Sequence, residues 1–370
     1  MASSTSAWRP VPFTANSTYA GFNLTPHIQW QANFGYCGEL STITSGLFLG
    51  QYLSQYDVRA IGSPTLPQTV HDAQVLLGMG SDGNDVVAAR YLRLGTEVWD
   101  ASVLDTQRYL VWVKRQVVAG RSVTLAVWQP DGKSDQYDHI VTAIGIASEH
   151  LMDATIYYPD DVITIVDHTG QAPQYTFADF IQTRASSRKG PDNSVPLASG
   201  QVYNYATAIT GVMDSNQETF PISVMTDTLE EVPVMKEGST TRPSASPVTL
   251  TVNVGGLVPG TDYKLFTYDN FNKVPGCNFN AAAGQALKVQ TVRISSGSTF
   301  QLKESIQSSE MRFYRCVEAA RGMGPACVMP PTLSNIPTTA ASPFSTRTSS
   351  RGFNFFANGL IFLVLPVILL

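Results

Sequence analysis

The chain has 370 residues and a formal net charge of −5, with 43% hydrophobic and 14% charged residues. Its 17 Phe, 15 Tyr and 5 Trp supply a hydrophobic core, which excludes a wholly disordered chain. The 24 Lys and Arg residues form no basic stripe, which argues against nucleic acid as a partner.

Residues 1–29 are predicted to be irregular, and they contain two N-glycosylation sequons, at Asn16 and Asn23. Sequons are glycosylated in secreted proteins, so they favour a secreted or cell-surface protein. Residues 1–13 lack the basic and apolar regions of a signal peptide, so no such peptide is visible there.

The first predicted domain spans residues 30–214, and its helices precede its strands. Apolar residues at helical spacing predict three helices, at about 37–56, 84–94 and 106–118. Apolar, β-branched runs predict strands at 123–128, 140–146 and 162–166, and the run 202–212 closes the domain. Helices followed by strands are typical of an α+β domain with segregated halves.

A second domain is predicted after a linker at residues 214–221. Short strand-like runs bounded by Gly, Pro, Ser or Asn continue over residues 221–320, which predicts a small all-β sandwich. The clearest runs lie at 248–254, 263–268, 288–294 and 312–317. The segment Leu257-Val-Pro-Gly-Thr-Asp-Tyr263 resembles the tyrosine corner of fibronectin type III-like sandwiches.

The four cysteines are Cys37, Cys277, Cys316 and Cys327, and no two have Cys-x-x-Cys spacing. This spacing argues against zinc ribbons and thioredoxin-type redox motifs. We expect a C-terminal disulfide, either Cys277 with Cys316 or Cys316 with Cys327; the alternative is four reduced, buried cysteines. No His, Cys and Asp cluster has metal-ligand spacing, so no metal or other cofactor is expected.

The C-terminal residues follow the order of a GPI-attachment signal. Three small residues, 340–342, precede a polar spacer at 343–352 and an apolar tail at 353–370. The tail would be removed and Ala340 would carry the lipid, while the Ser/Thr/Pro-rich residues 330–352 would form a stalk. The alternative is a tail-anchored or merely adhesive terminus, and the apolar run is short for a membrane-spanning helix.

The segment Gln31-Ala-Asn-Phe-Gly-Tyr-Cys37-Gly-Glu places a lone cysteine at the start of a predicted helix. The helix dipole and the free backbone N–H groups at that position favour a thiolate, so we expect a lowered pKa for Cys37. Gln31 lies on the approach loop, where its amide is placed to bind a developing oxyanion.

His139 is the candidate base, because it directly precedes a buried strand and so lies at the edge of a cleft. Asp167 follows the strand at 162–166. If the two strands pair antiparallel, Asp167 lies close enough to hold the His139 ring in the required tautomer. Cys37 on its own is most simply a buried helix cysteine; Gln31 and His139 together favour an active site.

This arrangement resembles the papain-like cysteine peptidases, and more closely their bacteriocin-leader-peptidase-like branch, over residues 28–210. The resemblance rests on Gln, five residues, Cys-Gly at a helix start, then Asp-His before a Val/Ile strand and a later Asp. It implies a papain-like fold with Cys37 as nucleophile and His139 as base. By the same resemblance, Asp167 is the orienting acid and Gln31 the oxyanion-hole residue. The chain departs from the papain pattern in the Gly-Glu that follows Cys37 and in the long gap between His139 and Asp167.

We therefore expect a cysteine peptidase-like hydrolase that cleaves an amide bond of a peptide or protein substrate at the cell surface, anchored to the membrane through its C-terminus. One alternative is a catalytically inactive surface protein for binding or adhesion on the same scaffold. Another is an acyl-transferring transpeptidase or amidase that resolves the acyl-enzyme with an amine. Labelling of Cys37 by an acyl electrophile tests the first alternative, and product analysis with added amine tests the second.

Overall fold

The computed structural model describes residues 18–21, 37–67, 73–77, 83–129, 137–150, 152–166, 172–180, 204–226 and 245–327. Both helices and sheets are present, so the protein belongs to the α+β class. The longer helices of these residues are α1 (Cys37–Phe48), α2 (Gln55–Gly62), α3 (Asn84–Tyr91) and α4 (Thr106–Val118). Two short 3-10 helices, Phe271–Lys273 and Ala283–Gln285, lie in the loop between residues 268 and 288. None of the described helices is long and apolar enough to cross a membrane.

The described strands form three sheets. The largest sheet contains β1 (Thr18–Gly21), β3 (Leu94–Val98), β4 (Val123–Gln129), β5 (Tyr137–Ser148), β6 (Val162–Val166), β7 (Gln174–Thr176) and β8 (Ala206–Val212). The second sheet contains β9 (Ile222–Thr226), β10 (Pro247–Val254) and β13 (Phe300–Gln307). The third contains β2 (Gln51–Tyr52), β11 (Asp262–Tyr268), β12 (Lys288–Arg293) and β14 (Arg312–Glu318).

The helix predicted at 37–56 is wrong at its C-terminal end. α1 stops before Gly50, whose φ of +70° lies in the left-handed region that favours glycine. The chain then forms β2 and begins α2, where the Ser54 hydroxyl caps the helix by accepting from the Asp57 N–H at 3.1 Å. One predicted helix is therefore two helices separated by a short strand.

The other two predicted helices are confirmed. α4 has the predicted bounds, and its cap is Asp105, whose side chain accepts from the Arg108 N–H at 3.0 Å. Gly120 follows the helix with a φ of +80°, which explains why the helix ends there. α3 begins at Asn84 as predicted and ends at Tyr91, three residues early, because the chain continues into β3.

The largest sheet lies between two helices. Its order is β3-β8-β4-β5-β6-β7, and β1 pairs with the far end of β5. On one face, Tyr109 and Val113 of α4 lie in one hydrophobic cluster with Val141 of β5. On the opposite face, the Thr142 hydroxyl donates to the Ser41 carbonyl of α1. Successive β5 residues thus contact different helices, as expected from strand geometry.

The predicted strands of this region are confirmed, since the three apolar runs lie within β4, β5 and β6. The run predicted to close the domain forms β8. The N-terminal segment is not irregular throughout: Thr18–Gly21 forms β1, which pairs antiparallel with residues 145–148. Four residues carry too little pattern to predict such a strand, because its hydrogen bonds come from a partner far along the chain.

The C-terminal residues form two packed sheets, hereafter the two-sheet unit (residues 222–327). The inner faces of the sheets share a hydrophobic cluster that includes Leu250 of β10 and Leu265 of β11. The four strand-like runs named above are confirmed as β10, β11, β12 and β14. The Tyr263 hydroxyl accepts from the Val258 N–H at 2.8 Å, which is the contact expected of a tyrosine corner.

The disulfide joins Cys277 to Cys327, whose Cα atoms are 5.7 Å apart. Both predicted pairings are therefore wrong, as is the alternative of four reduced cysteines. Cys316 is a free, buried cysteine on β14, in register with Leu265 in the core of the two-sheet unit. Because the Cys316 side chain lies in the core, its sulfur is separated from the loops that contain Cys277 and Cys327.

The residues before the linker, hereafter the N-terminal unit (residues 37–212), share a core with the two-sheet unit. Leu47 and Leu94 belong to the same hydrophobic cluster as the strands of the two-sheet unit. α1 packs against β9, and β2 pairs with β14 as an added edge strand. The linker at 214–221 therefore divides the sequence but not the core.

Candidate active site

Cys37 is the first residue of α1, as predicted, and it is partly buried. Its side chain packs against an apolar cluster formed by Leu77, Ala126 and Ile140. Ala126 and Ile140 are paired neighbours on β4 and β5, so the thiol lies against the α1 face of the large sheet. Leu77 belongs to the segment 73–77, which lies against the first turn of α1.

The two residues after Cys37 hold the segment 73–77 in place. A Cβ on Gly38 would clash with the Val75 carbonyl, so this close approach requires glycine. The Glu39 carboxylate then accepts from the Val75 N–H at 3.2 Å. The Gly-Glu pair thus positions the segment whose Leu77 covers Cys37.

Glu39 also forms a fully buried ion pair with Arg59 of α2. The Arg59 Nε donates to Glu39 Oε1 at 2.6 Å. Burial raises the pKa of Glu39, and the positive charge of Arg59 lowers it in part. A glutamate in the first turn of a helix is favoured by the helix dipole. The buried partner of Glu39 lies 20 residues along the chain, where no local pattern shows it.

The pKa of the Cys37 thiol is raised to about 11, mainly because burial disfavours the thiolate. The Ile140 backbone N–H lowers this pKa in part, and the nearby Glu39 charge raises it. The prediction of a lowered pKa is therefore wrong, because the apolar cover outweighs the effect of the helix N-terminus. At neutral pH the side chain is a neutral thiol.

The packing of Cys37 against Ile140 joins the start of α1 to β5. Ile140 directly follows His139, so the backbone of the predicted base lies beside the thiol. His139 is 3% exposed and lies in register with Val127, which packs on the α4 side of the sheet. Strand alternation favours the same side for the His139 ring. The Cys37 thiol and the His139 ring therefore lie on opposite faces of the sheet. A contact between them requires the His139 side chain to change its conformation at the start of β5.

β5 and β6 pair antiparallel, with Thr142 opposite Val166. The prediction that Asp167 orients His139 requires this antiparallel pairing, because the pairing brings the end of β6 next to the start of β5. The other predicted positions lie outside the described residues: Gln31, Asp167, Asn16, Asn23, Ala340, the stalk at 330–352 and the tail at 353–370.

His150 has a structural role in the loop after β5. Its Nε2 lies 3.0 Å from Asp160 Oδ1, and its ring stacks on Tyr158 with centroids 3.9 Å apart. These contacts join the end of β5 to the loop that leads into β6. The remaining three histidines, His27, His71 and His168, lie outside the described residues.

Asp85 is a buried acid in the first turn of α3. The cap of α3 is Gly83, and Asp85 is 6% exposed. Burial raises the pKa of Asp85 to about 6, and the Thr207 hydroxyl lowers it in part. Its backbone N–H donates to the Leu76 carbonyl, which connects α3 to the segment that covers Cys37.

Within the described residues, no group of His, Cys, Asp and Glu side chains is arranged to hold a metal ion. Comparison with known proteins finds no family model that matches the chain and no curated protein of similar sequence. The functional conclusion therefore depends on the geometry around Cys37.

Proposed function

We propose that the protein is a papain-like cysteine hydrolase that cleaves an amide bond in a peptide or protein substrate. The observation that carries this proposal is the packing of the Cys37 side chain against Ile140, the residue that directly follows His139. It brings a cysteine at a helix N-terminus beside the first residues of β5, where His139 lies. A nucleophile and a base on neighbouring elements are the parts that covalent catalysis needs.

The raised pKa of Cys37 decides how the thiol would react. Because the neutral thiol predominates at pH 7, its proton must leave as the sulfur bonds to the carbonyl carbon. His139 would accept this proton as a general base and return it to the leaving amine. The Cys37 N–H and the Gln31 amide would stabilise the oxyanion, and Asp167 would orient His139. Water would then hydrolyse the thioester and regenerate the thiol.

The fold in this proposal is a papain-like domain followed by a fibronectin type III-like sandwich. Support for the first part comes from α1 packed against an antiparallel sheet, with Cys37 at its start. Support for the second comes from the two packed sheets and from the bond between the Tyr263 hydroxyl and the Val258 N–H. A fold of this kind leaves the reaction open, so the reaction is tested separately.

The test is acylation of Cys37 by a dipeptide p-nitrophenyl ester at pH 7, followed by mass mapping of the acylated peptide. The wild-type chain is expected to release a burst of p-nitrophenolate and to carry the acyl group on Cys37. Cys37→Ala is expected to show neither. His139→Ala is expected to acylate about 10²–10⁴-fold more slowly, which is the usual contribution of a general base.

Cys316→Ala is the matched control, because Cys316 is a second free thiol but is buried in the two-sheet unit. We expect it to acylate at the wild-type rate. If a folded His139→Ala protein acylates Cys37 as fast as the wild type, His139 is not the base and the proposal fails.

Added glycinamide distinguishes hydrolysis from acyl transfer in the same assay. A hydrolase releases the free acid whether or not the amine is present. A transferase forms the amide product instead, because the amine and not water resolves the acyl-enzyme.

One observation favours a non-catalytic surface protein as the second candidate. Leu77, Ala126 and Ile140 pack against the Cys37 side chain, whereas a nucleophile must reach its substrate. This candidate predicts no acyl group on Cys37 of the folded wild type. It also predicts that Cys37→Ala lowers the unfolding temperature, because the thiol would then serve to pack against this apolar cluster.

We place this protein at the cell surface, with a GPI anchor at Ala340 and glycans at Asn16 and Asn23. The bond between Cys277 and Cys327 supports an oxidising compartment, because cytosolic thiols are kept reduced. Phosphatidylinositol-specific phospholipase C should release the protein from intact cells. Retention on the cells after this treatment would indicate another mode of attachment.

A further inference from the structure

The segment 73–77 lies against the start of α1, at the candidate active site. Leu77 forms a buried cluster with Ala126 and Ile140, and the Cys37 side chain packs against this cluster. Ala126 and Ile140 are fixed by their pairing in the large sheet, whereas residues 75–77 belong to no helix or strand. Leu77 is therefore the member of this cluster that can move away without breaking the sheet.

Hydrogen bonds from two helices hold the segment 73–77 in place. The Val75 N–H donates to Glu39 Oε1 of α1 at 3.2 Å, and the Asn84 Nδ2 at the start of α3 donates to the Gln74 carbonyl at 2.9 Å. Within the described residues, the segment takes no part in a sheet. An element held by single side chains, without a strand ladder, is the kind that opens locally while the rest of the chain stays folded.

The packing of this segment opposes the chemistry of the thiol. A Cβ on Gly38, the neighbour of Cys37, would clash with the Val75 carbonyl, so the segment leaves no free space there. Burial raises the pKa of Cys37, and a nucleophile must also reach the carbonyl carbon of its substrate. Movement of Leu77 away from the thiol would relieve both obstacles.

We propose that the segment 73–77 is an inhibitory cover, and that Leu77 must leave its place beside Cys37 before a substrate reaches the thiol. This inference rests on the proposed hydrolase for its biological role, but the movement of Leu77 is measurable without any substrate. It accounts for both observations on Cys37. The position beside β5 serves the open form, and the apolar packing belongs to the closed form.

The test is alkylation of the full chain by iodoacetamide at pH 8, with peptide mapping to separate the cysteines. Leu77→Ala is expected to raise the rate at Cys37 at least tenfold, because it removes most of the side chain that packs beside the thiol. Leu250→Ala is the matched control, because Leu250 is also a buried leucine but lies in the core of the two-sheet unit. It should leave the rate at Cys37 close to that of the wild type.

A second variant loosens the cover without changing the residues around the thiol. Asn84→Ala removes the hydrogen bond to the Gln74 carbonyl, so the rate at Cys37 should again rise. Asn280→Ala is its matched control, since the Asn280 side chain donates to the Glu318 carbonyl at 3.0 Å in the two-sheet unit. Thermal unfolding of every variant reports whether it is folded.

In the wild type, low concentrations of urea distinguish local opening from global unfolding. Movement of the segment 73–77 exposes little surface, so labelling of Cys37 should depend weakly on urea. Labelling of Cys316, which is buried in the two-sheet unit, should depend strongly on urea. An equal urea dependence at the two thiols would overturn the proposal, because global unfolding alone would then expose Cys37. A wild-type rate at Cys37 in a folded Leu77→Ala protein would overturn it as well.

The ester assay separates this proposal from the proposed function. A Leu77→Ala protein whose Cys37 is alkylated faster but is not acylated would contradict the hydrolase, while it would confirm that Leu77 controls access to the thiol. Faster alkylation together with faster acylation would support both.

Discussion

Cys37 holds its proton at neutral pH because its thiol packs against Leu77, Ala126 and Ile140. With a pKa of about 11 in place of 9.0, it has about 100-fold less thiolate at pH 7 than an unperturbed cysteine. We therefore expect its alkylation by iodoacetamide to rise about tenfold per pH unit up to pH 10. Peptide mapping over this pH range measures the rate at Cys37 separately from the other cysteines.

Cys316 provides the internal control for this measurement. Burial raises its pKa to about 12, so it should stay unlabelled in the folded chain and react once the chain is unfolded. A rate at Cys37 that levels off below pH 8 would contradict the raised pKa. It would point instead to a stable thiolate at the start of α1.

Asp85 should make folding stability fall as pH rises. Its folded pKa of about 6 exceeds its ordinary value of 3.8, so its contribution is fully present below pH 3.8 and is lost as pH rises through 6. At about 1.4 kcal/mol per pKa unit, the loss is about 3 kcal/mol. Asp85→Asn, which stays neutral, should gain about this much relative to the wild type between pH 3.5 and pH 8, measured by urea unfolding.

Asp179→Asn is the control for the Asp85 experiment, because Asp179 is exposed. It should show little change relative to the wild type across the same pH range. An Asp85→Asn protein whose advantage over the wild type is the same at both pH values would show that Asp85 ionises as an ordinary aspartate.

At the scale of elements, the ion pair of Glu39 and Arg59 ties α1 to α2 and to the segment 73–77. Arg59→Met would leave the Glu39 carboxylate buried without its counter-charge. We expect a loss of about 3–5 kcal/mol in the free energy of unfolding, and part of it should return in the double variant with Glu39→Gln. Urea unfolding of the single and double variants measures both effects.

Arg293→Met is the matched control for the loss of an ion pair. Arg293 and Asp262 pair on the surface, with side chains that are 61% and 49% exposed. Removing such a pair should cost less than about 1 kcal/mol. If both arginine variants lose the same stability, burial does not set the strength of the Glu39–Arg59 pair.

Elements with strong local patterns were predictable from the sequence, and elements that depend on distant contacts were not. α4 and β6 have the predicted bounds, because a capping residue, helical spacing and an unbroken apolar run are all local signals. The end of α1 depends on Gly50, where a Cβ would meet Ile222 of β9 at 3.0 Å. That crowding comes from a strand far along the chain and leaves no local signal. The apolar spacing alone therefore predicts a helix that extends past the true end of α1.

The candidate site also has features that the local sequence predicts and features that depend on distant contacts. The position of Cys37 at a helix start follows from the turn and the apolar spacing around it. The raised pKa of Cys37 does not follow from the local sequence, because the apolar residues that pack against the thiol are Leu77 and residues of two strands of the sheet. The disulfide partner of Cys277 was equally hidden, since loop geometry and not spacing brings Cys327 to it.

At the scale of the whole molecule, the shared core makes the N-terminal unit dependent on the two-sheet unit. A chain ending at residue 214 would uncover the face of α1 that packs against β9 and would leave β2 without its partner β14. Each exposed large apolar side chain costs about 1.5–3 kcal/mol, and a few of them amount to the whole stability of an ordinary domain. We expect chain 1–214 to lack a cooperative urea transition.

Chain 1–327 is the comparison for this truncation, because it keeps every residue that the structure describes. It should unfold cooperatively and resist limited proteolysis. A protease-resistant chain 1–214 with a cooperative transition would show that the N-terminal unit folds by itself and that the shared cluster adds little.

The disulfide between Cys277 and Cys327 determines which residues would bear a mechanical force applied to the chain after residue 327. A pull on the residues after Cys327 reaches Cys277, which is 1% exposed and lies in the loop between β11 and β12. The Asn278 side chain braces this junction through the Pro325 carbonyl and the Gly324 N–H. The force therefore bypasses β14, which would otherwise be peeled from its neighbour one hydrogen bond at a time. A chain pulled from its C-terminal side would therefore keep β14 paired with its neighbours as long as this one bond stays oxidised.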